Sequence, residues 1–325
     1  MTELAPKSPH RQSQHVSKVT CSVVVPVYNG AETIPLLVER LGQVLPSVAR
    51  KYEVILVNDG SHDNSWAVIE GFRSKYPWVI GVNLMRNYGQ HNATLCGVRK
   101  ARYDVTITMD DDLQHPPEEI PILLAELSKG YDVVYGAPIK LPQGFLRNVL
   151  TKSIKVLLAR IMGIPSIRNI SAFRAFYTHL RNAFTEFRSP SLILDVLLSW
   201  GTSYFTSVPV NISASTRRSN YSFVKLMKAA LLILTGFSTA PLRITSWLGF
   251  LMTIFGMGIL AYVLFIYFNV GSLPGFPFLA SVIAIFSGAQ LFTMGIFGEY
   301  LARMFDRVMD RPPYIVEQQF GGAKR

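Results

Sequence analysis

Charge is scarce in this 325-residue chain: Asp, Glu, Lys and Arg make up 16% of it, and the mean hydropathy is +0.26. That is too apolar for an ordinary water-soluble protein of this length. The deficit is concentrated. Ile244 to Gly298 contains no charged residue, which leaves room for two membrane helices of about 20 residues each and a turn. Acidic residues are sparse over a longer stretch, because between Asp132 and Glu299 only Glu186 and Asp195 occur. Cysteine is nearly absent. Cys21 and Cys96 have no metal or redox spacing and read as buried thiols in a reducing compartment. Met1 to Lys18 lacks the apolar core of a signal peptide and reads as a flexible, basic tail. No nucleic-acid-binding motif accompanies the net charge of +11. With apolar spans present, that charge points to a membrane surface instead.

What is present first is an alternation of strands and helices. Thr20 to Val27 predicts a strand, Tyr28-Asn29-Gly30 a turn, and Thr33 to Val44 a helix with Ile34, Leu37, Val38 and Leu41 on one face. Tyr52 to Asn58 is a second strand, ending in Asp59-Gly60-Ser61; Asp63 or Asn64 can cap the helix that runs to Lys75. Val79 to Leu84 is a third strand, followed by Arg86 to His91 and a short helix to Ala101. Such an α/β alternation predicts a mostly parallel sheet with helices on both faces. Ligands of these sheets sit at the carboxyl ends of the strands. Tyr28-Asn29, Asn58-Asp59, Arg86-Asn87 and Asp110 to Asp112 all fall at those ends and predict one nucleotide-sized crevice.

The fourth strand is the one the chemistry depends on. Val105 to Met109 is apolar and β-branched, and it runs straight into Asp110, Asp111 and Asp112, with Gln114 and the Pro116-Pro117 stop behind. Carboxylates crowded at one strand end repel unless a cation sits among them. The Asp110/Asp112 pair offers hard oxygen ligands suited to Mg²⁺ or Mn²⁺ carrying a substrate diphosphate. A bare Asp-x-Asp can equally be a solvated acidic loop; the strand before it and the prolines after it favour the metal.

Glu118 to Ser128 is a helix with an acidic first turn and Asp132 to Gly136 a further strand. Thereafter basic, amphipathic segments take over. Thr151 to Met162, with Lys152, Lys155 and Arg160, and Phe223 to Thr235, with Lys225 and Lys228, read as interfacial helices. Core helices with snorkelling lysines are the alternative. Spans at Thr245 to Phe268 and Phe278 to Gly298 flank an uncharged turn, with Arg and Lys on both outer flanks. The positive-inside rule therefore puts the α/β domain and both termini in the cytoplasm of a multi-pass inner-membrane protein. The resulting division is a tail (1–19), a nucleotide-binding α/β domain (20–150), an acceptor-side region (151–243), two spans (244–298) and a cytoplasmic tail (299–325).

The motifs VPVYNG at Val25, VNDGSHDNS at Val57, RNYGQH at Arg86, DDDLQHPPEEIP at Asp110, TAPLRI at Thr239, GEYLARMF at Gly298 and RPPYIV at Arg311 occur in this order. In them the chain resembles the membrane-anchored family 2 glycosyltransferases that load a sugar onto a polyprenyl phosphate. That group includes dolichol-phosphate mannose synthase, bactoprenol glucosyltransferase and undecaprenyl-phosphate aminoarabinose transferase. The resemblance runs from Thr20 to Val316, and RNYGQH with DLQHPPEEIP looks most like the aminoarabinose type. It implies a GT-A fold and inverting transfer from a nucleotide-sugar, with uridine as the base, onto undecaprenyl phosphate. Pro26, Tyr28, Asn29, Asp59, Gly60, Asn87 and Asp111 would line the nucleotide. Asp110, Asp112 and Gln114 would form the catalytic centre, with the first two holding Mg²⁺ or Mn²⁺. Arg147, also placed at the catalytic centre, would meet the acceptor phosphate together with Lys152, Arg217 and Arg218. Relatives that form tetramers imply a homo-oligomer, for which Gly249, Gly256, Gly258, Ser287, Gly288 and Ala289 would permit close helix packing.

The chain also departs from that pattern. Relatives carry an Asp in a Gly-Asp-(Phe/Tyr) motif where this chain reads RNISAFRAF from Arg168, with Ser171-Ala172 in its place. Asp195, in LILDVLLSW, is the one candidate substitute, and a capped or paired Asp is the other reading of it. Lys140 and the Arg217-Arg218 loop are altered as well. A catalytically altered member that binds a nucleotide or lipid carrier as a membrane partner is the alternative. A processive synthase is excluded by the lack of a Gln-x-x-Arg-Trp motif around any of Trp66, Trp78, Trp200 or Trp247.

Overall fold

The computed structural model describes residues 19–138, 170–189, 192–212, 240–270 and 275–321. Arg147, Lys152, Arg217, Arg218, Lys140 and both amphipathic segments lie outside the described residues. The described residues fall into two units, one holding the sheet and the other lying within Tyr221–Asp310.

In the sheet unit, β1 (Val19–Val27), β2 (Ala49–Asn58) and β3 (Val79–Leu84) pair in parallel, connected by α1 (Ile34–Val48) and α2 (Ser65–Lys75), and α3 (Gln90–Lys100) follows β3. The alternation of β-branched residues explains the layering. Val23 and Val25 of β1, with Val54 and Leu56 of β2, pack against Ile34, Leu37 and Leu41 of α1. Val24, Ile55 and Val57 face the other way, towards Ala93 and Cys96 of α3. A period of two in the strands and of about 3.6 in the helices is enough to write this sandwich into the sequence. Burial pushes both thiols, Cys21 and Cys96, up to about 12, so they are inert apolar fillers.

β4 (Val105–Thr108) pairs with the opposite side of β1. The chain therefore winds from β1 outward to β2 and β3, then returns to place β4 on the other flank. This reversal opens a crevice at the carboxyl ends of β1 and β4. After the short helical turn Pro117–Glu119 and α4 (Ile120–Leu127), β5 (Val133–Pro138), β6 (Arg174–Tyr177), α5 (Leu194–Gly201) and β7 (Phe205–Val210) extend the sheet. The order is β7-β5-β6-β4-β1-β2-β3-β8, with β6 antiparallel to both neighbours.

β8 (Val316–Phe320) is the last strand and runs antiparallel to β3. The sheet thus draws three strands from beyond residue 150, and one of them from the segment read as a tail. β6 is only four residues long, and β8 is a polar edge sequence, VEQQF, without alternation, so neither carries a periodic signal. α1 also runs four residues past its expected end, through Pro46 in its last turn.

The other unit holds α6 (Ala240–Val270) and α7 (Phe276–Val308). Pro241–Ile266 in α6 has a mean hydropathy of 2.2 and is the one helix, among the described residues, long and apolar enough to cross a membrane. Phe255 of α6 stacks on Phe286 of α7. α7 is free of charge to Gly298 and then carries an Arg303–Glu299 ion pair at 2.7 Å.

Candidate active site

The crevice is built from four strand ends. At β1, Pro26 is buried inside the strand, while Tyr28 is exposed and Asn29 takes a left-handed conformation, φ 53°. The Asn29 N–H donates to Ser61 Oγ at 3.0 Å, and Asn29 Oδ1 accepts the His62 N–H at 2.8 Å. Tyr28 and His62 stand edge to face across the same turn. Gly30 packs so close to Asp111 that a Cβ there would collide with the carboxylate.

At β2, Asp59 is buried and accepts two backbone donors, the N–H of Tyr88 at 2.7 Å and of Gly89 at 2.9 Å. Burial raises its pKa above the usual carboxylate range, and the two amides offset part of that rise. Both oxygens thus hold the loop after β3, whose Asn87 Oδ1 also accepts the Gly89 N–H at 3.1 Å. Gly60, at φ +61°, sits against the backbone of Arg86 and Asn87, where any Cβ would clash.

The third and fourth ends meet through Gln90, the first residue of α3. Its Nε2 donates to Asp110 Oδ1 at 2.5 Å. The motif RNYGQH therefore serves the acidic cluster directly, a role that its sequence does not announce. Asp110 and Asp112 are half-buried and Asp111 is buried. The three do different work. Asp111 Oδ2 accepts the Tyr28 N–H at 3.3 Å, so it ties the β1 turn down. Asp112 accepts the Gln114 N–H at 3.1 Å and Gln114 Nε2 at 2.6 Å, around Leu113 at φ 60°. A left-handed leucine is strained by roughly 1–2 kcal/mol, and such strain collects at functional sites. Asp110 is pushed up to about 7, first by burial and then by Asp112 and Asp111, with Arg174 and Gln90 pulling the other way. Among the described residues no group of three or more His, Cys, Asp or Glu is arranged as a metal cage.

Beneath the cluster lies a buried pair of which only Asp195 was singled out from the sequence. Arg174 in β6 sits opposite Thr108 of β4 and Tyr135 of β5. Its Nε donates to Thr108 Oγ1 at 3.0 Å and its Nη1 pairs with Asp195 of α5. Asp195 also accepts the Tyr135 hydroxyl at 2.8 Å. Burial works against the guanidinium's charge, but Asp195 holds its pKa above the ordinary value. Asp195 is therefore a buried counter-ion, which answers the question its sequence left open. At the position of the missing Asp, Ser171 Oγ lies 3.5 Å from His115 Nε2, and that imidazole stacks on Phe173. Burial lowers the His115 pKa, and Asp112 opposes the shift.

Tyr28, Asn29, Asp59, Gly60, Asn87, Asp110, Asp111, Asp112 and Gln114 are thus drawn to one edge of the sheet. Gln90, Ser61 and Arg174 join them without having been singled out. Residues 22–189 match the family model described as glycosyl transferase family 2. The chain is 34% identical over 318 residues to an undecaprenyl-phosphate 4-deoxy-4-formamido-L-arabinose transferase from Proteus mirabilis (strain HI4320), covering 96% of each chain. Among solved structures it is similar to the Mycobacterium tuberculosis glucosyl-3-phosphoglycerate synthase in complex with Mn²⁺, UDP and glucosyl-3-phosphoglycerate. That likeness has a TM-score of 0.51 at 16% identity, over 71% of this chain and 88% of that one. The same enzyme with Mg²⁺ and UDP gives 0.50 at 17% identity, over 67% and 79%. The structural likeness shows the fold, and together with the sequence matches it gives the conclusion: the chain is a glycosyltransferase and belongs to glycosyl transferase family 2.

Proposed function

We propose that the protein transfers a sugar, with inversion, from a nucleotide-sugar (UDP-linked by preference) to a polyprenyl phosphate at the cytoplasmic face of a membrane. The observation that carries this reading is the Asp110/Asp112 pair at the switch point between β1 and β4. There, burial first and the neighbouring Asp112 and Asp111 second push the Asp110 carboxyl up to about 7. The Proteus relative, named for an undecaprenyl-phosphate acceptor and matched along 96% of this chain, supports the acceptor class.

Two carboxylates at this spacing fit Mg²⁺ or Mn²⁺, which is commonly held by one or two carboxylates with substrate phosphates completing the shell. The absence of a larger protein cage among the described residues agrees with that. When bound, such an ion would offset the charge that builds on the departing nucleoside diphosphate. The chain's own residues do the rest. The Tyr28-Asn29 turn and the Asp59-Gly60-Ser61 and 86–89 loops would receive the nucleoside, Gln90 orients Asp110, and Gln114 orients Asp112. The acceptor phosphate oxygen is already an anion, so attack on the anomeric carbon needs no general base. Arg147, Lys152, Arg217 and Arg218 would seat it, and α6, with α7, would keep the enzyme at the bilayer that holds the lipid.

The test incubates the detergent-purified full chain with undecaprenyl phosphate, Mn²⁺ or Mg²⁺ and a panel of nucleotide-sugars, reading lipid products by mass spectrometry. One glycosylated lipid phosphate is expected, and Asp112→Asn should lower its rate about 10²–10³-fold. A product that persists undiminished in Asp112→Asn, or survives full chelation, overturns the metal-dependent reading. Absence of any lipid product, with nucleotide still bound, favours a binding partner.

A further inference from the structure

The last strand of the sheet reaches the β1 turn through an unbroken line of side chains. Asn83 Nδ2 donates to Glu317 Oε2 at 2.7 Å, and Asn83 Oδ1 accepts from Asn58 Nδ2 at 2.7 Å. Asn58 Oδ1 accepts the Ser61 hydroxyl at 2.6 Å, and Ser61 Oγ accepts the Asn29 N–H at 3.0 Å. The line crosses the ends of β8, β3, β2 and β1 in turn. Its direction is fixed at both ends. A carboxylate can only accept and a backbone N–H can only donate, so each amide between them has one usable orientation and the Ser61 hydroxyl one rotamer.

The backbone aims Glu317 at this line. β8 pairs Asn83 with Gln318 and Leu84 with Val316, so Glu317 is the extra residue of a bulge. Bulges recur beside active sites, where they redirect a side chain. β8 does not need Glu317 for its own docking. Phe320 is buried over Gly81, in space that a Cβ would fill, and Gln319 Oε1 accepts from Lys100 Nζ.

We propose that Glu317 is a positioning residue of the donor site, orienting the Asn83–Asn58–Ser61 line so that the Tyr28-Asn29 turn is held in its nucleoside-receiving conformation. The donor half of this statement rests on the function proposed above. The ordering of the turn does not. The acceptor oxygen is what matters here, so Glu317→Gln keeps the line, Glu317→Ala removes its terminus, and Asn83→Asp replaces its donor with a second acceptor.

The experiment uses the full chain in detergent, with hydrogen exchange read over residues 28–31 and 61–63, and calorimetric titration of UDP, GDP, CDP and ADP in the presence of Mn²⁺. Glu317→Ala and Asn83→Asp should speed exchange in both segments. Each should weaken binding of the preferred nucleotide about three- to tenfold, the scale of one net hydrogen bond. Glu317→Gln should match the wild type in both readouts, and the unfolding midpoint should stay put in Glu317→Ala because Phe320 still anchors β8. Unchanged exchange in Glu317→Ala overturns the proposal, as does a Gln variant that behaves like Ala. A wild-type protein that binds none of the four nucleotides removes the donor reading and Glu317's role in it, while the exchange data still decide whether Glu317 orders the turn.

Discussion

The sheet unit and the helical pair solve opposite problems with the same apolar residue types. In the sheet unit, Val23, Val25, Leu37, Leu56 and Ile107 are fully buried, and polar groups collect at the strand ends. In α6, Ile244, Trp247, Phe250, Leu251, Ile254, Phe255 and Phe265 are all exposed, and none of the span's most apolar window is buried. A water-soluble fold cannot leave such a surface bare, whereas a helix whose surroundings are hydrocarbon needs no polar face. The sheet unit buries one ion pair, Arg174–Asp195, beneath the acidic cluster and leaves others, such as Arg40–Glu118, towards solvent. α6 carries no charge beyond Arg243.

That contrast can be broken first at the buried pair. Arg174→Met strands Asp195 without a counter-ion in the sheet interior and should cost about 3–5 kcal/mol, whereas Arg174→Met with Asp195→Leu should recover most of it. Chemical denaturation of the detergent-solubilised chain, followed by near-ultraviolet circular dichroism, reads both variants. Equal losses in the single and double variants would mean that Arg174 matters for something other than compensating Asp195.

The second test puts a charge where the other unit has none. Ile254→Asp, in the middle of α6, should cost about 2.5–3.5 kcal/mol of insertion and shift protein from the carbonate-washed membrane to the soluble or degraded fraction. Full retention in the membrane would remove α6 as a span.

The third effect concerns pH and belongs to the sheet unit alone. Asp110 has its folded pKa raised to about 7, so the folded, cation-free protein holds a proton that the unfolded chain releases near 4. The sign follows from that. Without divalent cation, this group makes the fold more stable as pH falls from about 7 towards 4, and less stable above. Cation binding at Asp110, as proposed, would run the other way by displacing the proton, so apparent Mn²⁺ affinity should rise about tenfold per pH unit up to about 7 and level off above. Titrations between pH 5.5 and 8.5 check both signs. The α6 surface, charge-free from Ile244 onward, should contribute nothing to either slope.

The parallel half of the sheet was legible because β1, β2 and β4 are runs of β-branched residues that end in polar clusters. The residues proposed to receive the donor came with them, since strand ends in such a sheet share one edge. The supporting side chains were not legible. Gln90 touches Asp110 across 20 positions and Arg174 meets Asp195 across 21, contacts that only the packing of α3, β6 and α5 creates. Asp111 was expected to line the nucleotide, and only the fold turns it inward to the Tyr28 N–H. β8 was invisible, because a bulged edge strand of polar residues has no period to detect.

By itself, then, the sequence determined the strands of the parallel half, where their carboxyl ends bear charge, and that α6 is uncharged from Ile244 onward. These are properties of local pattern, and each is carried within a few consecutive residues. The tertiary structure alone decided which carboxylate faces the crevice and which is a tether. It also decided that Asp195 neutralises Arg174, and that the last strand closes a hydrogen-bond line to the first turn. Those outcomes depend on donors meeting acceptors from distant elements, and that pairing exists only once the backbone has brought them within about 3 Å.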